Sequence, residues 1–134
     1  MPILRLNSAP AGLELHGSPA SAASAIASAA RGTGPVMILI HGYKYDPGCA
    51  PFSPHTTIFA RTRHPDTSTH MQWLPHLGFG TGDRNEGLAI AFGWRARGDI
   101  WRARRSARVA GQHLADVITR IRARAPHRPI HAIT

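Results

Sequence analysis

The chain has 134 residues, 43% of them apolar, and a net charge of +9 carried almost wholly by arginine, Lys44 being the one lysine. That length allows at most one domain, with enough apolar residues to bury a core rather than stay disordered. The longest apolar run, VMILI at Val36–Ile40, is far too short to cross a bilayer, no basic-then-apolar leader opens the sequence, and Cys49, as the single cysteine, excludes an internal disulfide and a thiolate metal cluster.

Taken in chain order, residues 2–7 (PILRLN) and 13–17 (LELHG) both alternate apolar and polar. The turn-forming Ser8, Pro10 and Gly12 lie between them, which predicts an antiparallel hairpin. SPASAASAIASAARG follows and reads as a helix, with Ser18 as N-cap, Pro19 at the first position, Ile26 as the one large anchor, and Gly32 or Gly34 as the stop. A flexible Ala/Ser linker is the alternative.

PVMILIHG is continuously apolar instead of alternating, the mark of a strand buried on both faces of a parallel sheet. From Tyr43 to Gly87 proline and glycine recur, and the reading is loop with a helical turn or two in PHTTIFAR. So long a loop is usually functional or mobile. GLAIAFGW (87–94) is a second continuously apolar strand.

Asp99 then caps a long helix in which Ala107, Ala110, Leu114, Val117, Ile118 and Ile121 recur at helical spacing, until Pro126 forbids continuation. RPIHAIT, residues 128–134, is a third buried strand. Apolar strands alternating with helical segments predict an α/β fold built on a mostly parallel sheet.

The residues VMILIHGYK resemble the third strand of the α/β-hydrolases, where a strand ending in His-Gly runs into the oxyanion loop. LAIAFGWRARG resembles their fourth strand, the long helix the one that follows it, and PIHAIT the fifth. The resemblance covers nearly the whole chain and is to small bacterial, esterase- or lipase-like members. It implies strand order 1-2-4-3-5 with flanking helices, and residues 1–134 as one incomplete N-terminal portion of that domain.

In this family the fifth strand leads into the nucleophile elbow, small-x-Ser-x-Gly. The nucleophilic serine is therefore expected two residues past Thr134, with the acid and the catalytic histidine later still. The expected activity of the intact parent is serine-dependent hydrolysis of an ester or related small-molecule acyl substrate through an acyl-enzyme, without a cofactor. The 134 residues by themselves are expected to be inactive.

The resemblance assigns the oxyanion hole to the turn at Gly42 and Tyr43, with the Tyr43 N–H as donor and Gly42 allowing close backbone approach. It assigns His41 to holding that turn through hydrogen bonds, not to base catalysis. His41, Lys44 and Tyr45 are the pocket candidates; Tyr43, Lys44 and Tyr45 either line the pocket mouth or are exposed without a role, and residues 46–86 contribute pocket wall.

No His-Glu-x-x-His or helical i,i+4 histidine pair supports a metal site, and His70 and His76 lie six apart in a loop. Ser106 sits inside a helix with no elbow around it, and Cys49 has no partnered histidine. The rival reading is a small basic module binding nucleic acid or another polyanion. Arg104, Arg105 and Arg108 fall off the apolar helix face, but the arginines form no dense block with interleaved aromatics, and an arginine- and alanine-rich composition also follows from GC-rich coding. The expected location is the cytoplasm.

Overall fold

The computed structural model describes residues 3–62, 71–83 and 85–134; Pro2 of the predicted first strand and His70 lie outside them. Five strands form one sheet: β1 (Ile3–Ala9), β2 (Gly12–Leu15), β3 (Val36–Ile40), β4 (Leu88–Gly93) and β5 (Ile130–Ile133). Their order is β2-β1-β4-β3-β5. β1, β4, β3 and β5 run parallel, and only β2 is antiparallel, closing the hairpin with β1. The sequence is therefore an α/β chain with a mostly parallel sheet.

The continuously apolar stretches are the central strands. β4 is buried along its whole length, and β3 lies between it and β5, with Ile38 opposite Ile90 on one side and Ala132 on the other. Side-chain alternation divides these residues between two cores. Leu6, Val36, Ile38, Leu88, Ile90 and Phe92 face α1 (Ala22–Ala30) and α3 (Ile100–Arg124), meeting Ile26, Ala110, Val117 and Ile121. Ile3, Leu39, Ala89 and Ala91 face the other way and meet Ile58, Phe59, Leu74 and Phe79.

The segment before β4 supplies that second cover through two 3₁₀ turns (Ala50–Phe52 and Pro54–Thr56) and α2 (Trp73–His76). The crossovers from β1 to β3 and from β4 to β5 thus run over the helical face. The return from β3 to β4 moves the opposite way across the sheet over the other face, so all three crossovers share one hand, as parallel connections require.

The expected order 1-2-4-3-5 is corrected at its outer end: β1, not β2, lies against β4. β1 has seven residues and buries Ile3 on one face and Leu6 on the other, whereas the four-residue β2 exposes Glu14 and suits an edge. Ser21, not Ser18, caps α1 by accepting from the Ser24 N–H at 3.2 Å.

In α3 the Asp99 cap and the exit at Ala125 before Pro126 are as expected, but Ala107 is exposed. A helix of 25 residues is about 37 Å long against about 20 Å for a six-residue strand, so its first turns overhang the carboxyl edge of the sheet. The expected loop from Tyr43 to Gly87 is also corrected in part, because its centre is core.

Candidate functional site at the carboxyl edge

β3 and β4 send their chains to opposite faces of the sheet, and the crevice outside such a divergence is where open α/β sheets bind ligands. The loops after these strands are bonded to each other atom by atom. The Trp94 backbone N–H donates to His41 Nε2 at 3.0 Å, the Trp94 indole N–H donates to the His41 carbonyl at 3.0 Å, and the two rings stack with centroids 5.6 Å apart. Nε2 of His41 is thereby an acceptor, so Nδ1 carries the proton and donates to the Gly42 carbonyl at 3.0 Å.

Burial, against the opposing pull of the Gly42 carbonyl and Asp46, holds His41 below the usual imidazole pKa. A buried neutral ring with both nitrogens engaged fixes the turn and has no nitrogen left for a substrate.

The turn itself departs from the expected geometry at one point. Gly42 is exposed, does not adopt a positive φ, and a Cβ there meets nothing within 4 Å, so no described neighbour requires glycine. The left-handed residue is Lys44, at φ 80°. Its N–H donates to the Ala96 carbonyl at 3.0 Å, and the Ala96 N–H donates to the Tyr45 carbonyl at 2.9 Å. Tyr43 is half-exposed and ties its hydroxyl to the Gly98 carbonyl at 2.7 Å, while its backbone N–H has no hydrogen-bond partner among the described residues. Tyr45 is half-buried, 5.4 Å from the His41 ring.

On the far side, β5 brings its end to the same edge. Leu39 is level with Ile133, so Thr134 follows Ile133 as Ile40 follows Leu39, both chains running toward the His41 turn.

Two groups of residues form at this edge that the sequence does not bring together; of their members it marks only Ser8, as a turn residue, and Arg105, off the apolar face of the long helix. At the ends of β1 and β4, His55 Nε2–H donates to Asn7 Oδ1 at 2.7 Å, and Asn7 Nδ2–H donates to His16 Nδ1 at 3.2 Å, with the imidazoles stacked at 4.0 Å. Gly93 makes room for this pair, since a Cβ there would stand 2.7 Å from Asn7 Oδ1 and 2.9 Å from His55 Nε2. Burial first, then the positive charge of His16, Arg5 and His41, lowers the His55 pKa to about 2. Its Nδ1 is buried without a hydrogen-bond partner among the described residues.

The second group surrounds the overhanging start of α3. There Ser8 bonds His113 Nδ1 at 2.7 Å, and a groove of about 390 Å³ is lined by Ser8, Asp46, Arg95, Arg97, Arg102 and Arg105. Asn7 and Ser8 end the apolar alternation of β1, which was the one local signal. The partners at 55 and 113 lie 48 and 105 residues away in sequence.

Among the described residues no cluster of three or more metal-ligating side chains forms, and no helix is long and apolar enough to cross a membrane. Compared with protein-family models, with curated proteins and with solved structures, the chain matches none.

Proposed function

We propose that the carboxyl edge at β3 and β5 is the oxyanion side of a serine acyl-hydrolase site, with the α/β-hydrolase resemblance as its framework. The observation that carries this reading is the parallel, in-register pairing of β3 with β5, which sets the His41-Gly42-Tyr43 turn beside the end of β5 while the Tyr43 N–H has no hydrogen-bond partner among the described residues. An acyl transfer develops negative charge on the carbonyl oxygen, and a rigidly held backbone N–H stabilises it. The bonds from Trp94, Lys44 and Ala96 supply that rigidity. Exposed Tyr43 offers apolar surface to the acyl group. The exchange of β1 and β2 departs from the family order at the opposite side of the sheet, away from this site.

No serine within the 134 residues has glycine two positions on, so on this reading none of them is the nucleophile of the elbow. The test is the reading frame beyond Thr134 and the activity of what it encodes. Residues continuing as x-Ser-x-Gly and then a helix, with turnover of p-nitrophenyl butyrate by the longer polypeptide and none by residues 1–134, are expected. In the longer polypeptide Tyr43→Pro deletes the N–H and is expected to lower kcat about 10²–10³-fold. A stop codon, a continuation without that serine, or saturable turnover by the 134 residues alone overturns the proposal.

A further inference from the structure

We propose that the groove between the ends of β1 and β4 and the overhanging start of α3 is a binding site for a small phosphate-bearing molecule. Four arginines, Arg95, Arg97, Arg102 and Arg105, line it, and Asp46 is the one acidic residue among its lining residues. That carboxylate is turned to the chain, accepting the Gly48 N–H at 2.8 Å. Two salt bridges form among the described residues, and the one that reaches the groove joins Arg102 to Asp99 at 3.5 Å in full solvent. Arg95, Arg97 and Arg105 have no acidic partner among the described residues.

The groove is also built, not just charged. The Ser8–His113 bond at 2.7 Å pins α3 against the end of β1, and Arg97 lies 3.5 Å over the Phe52 ring with a nitrogen 3.5 Å from Cys49 Sγ. Asp99 already accepts from the Trp101 and Arg102 N–H groups at the start of α3, so the attraction for an anion comes from the side chains and not from the helix end.

Planar guanidinium forks match phosphate oxygens in pairs. The volume of about 390 Å³ is that of a small-molecule pocket and far exceeds one phosphate, and Val109 gives the remainder an apolar wall. Arg104 and Arg108 on the same helix stand outside the groove and are exposed, so they serve as a control for charge alone. This inference does not depend on the acyl-hydrolase reading, because it concerns binding at other residues.

The experiment is calorimetric titration of the chain with phenyl phosphate, set against inorganic phosphate and a short DNA duplex. Wild type is compared with Arg95→Ser/Arg105→Ser and with Arg104→Ser/Arg108→Ser, which remove equal charge. Saturable one-to-one binding of phenyl phosphate, tighter than inorganic phosphate, is expected. The groove pair should weaken it at least about tenfold and the outside pair less than about twofold. If the groove pair fails to fold, Arg95→Lys/Arg105→Lys keeps the charge but loses the forks and should weaken binding by a smaller factor. Equal weakening by both serine pairs, tighter binding of the duplex with the same indifference to position, or no saturation at millimolar phenyl phosphate overturns the proposal.

Discussion

The two faces of the sheet are covered in opposite ways. On one, α1 and α3 lay regular apolar stripes across Leu6, Ile38 and Ile90, and the contacts repeat with helical period. On the other, a stretch with two 3₁₀ turns and one four-residue helix presses Phe59, Leu74 and Phe79 onto Leu39, Ala89 and Ala91. The alanines on that side of β4 leave room for bulky side chains delivered by irregular backbone. Each face holds side chains sealed from water, since Phe59 and Ile121 are each 0% exposed. Burial therefore does not require periodicity, and the irregular cover is as much a part of the core as the helices.

The sharpest way to break this equivalence is Phe59→Ala. If the irregular segment is core, the variant loses about 3–5 kcal/mol, comparable to a large-to-small change on the buried side of α3 such as Ile121→Ala. Urea unfolding of both variants measures it, and a loss below about 1 kcal/mol for Phe59 would reduce the segment to a surface loop.

The helical face has a weakness of its own at Arg128, whose side chain bonds the carbonyls of Ala29, Ala30, Thr33 and Gly34 at 2.6–3.1 Å and so caps α1 from the approach to β5. Burial lowers its pKa from the ordinary arginine value. Arg128→Ala should cost about 3 kcal/mol, because four carbonyls lose a charged donor at a helix end. Arg128→Lys should recover only part of that, since one ammonium cannot reach all four. Full recovery with lysine would show that charge alone matters there.

Acid distinguishes the faces as well, because His41 and His55 contact Phe59 on the irregular side. Burial is the main cause of the lowered pKa in His41, His55 and neighbouring His16. Below the usual imidazole value near 6.5 the unfolded chain takes up protons that the folded chain refuses, so stability is full above that pH and falls as the pH drops toward the folded values. His55 alone should remove about 1.4 kcal/mol per pH unit, or about 2 kcal/mol by pH 5. His55→Gln should flatten the decline in urea midpoint between pH 7 and pH 5, and an unchanged slope would remove His55 from the account.

What the sequence by itself determined lies where signals are local. The doubly buried β3 and β4, the Asp99 cap, the stop before Pro126 and the α/β class follow from apolar runs, spacing and punctuating residues within a few positions of each other. Tertiary structure alone decided the rest. Either hairpin strand could have paired with β4, and β1 took that place because it is the longer and buries residues on both sides. Arg128 reads like any other arginine until the end of α1 and the turn after it, Ala29 to Gly34, are folded onto it from 94 or more residues upstream. Arg105 reads as part of a solvated helix face until the fold sets it in one groove with Arg95, Arg97 and Arg102. A hydrogen bond or a cluster of charges joining residues far apart in sequence leaves no periodic trace, because its partners are brought together only by the crossovers of the parallel sheet.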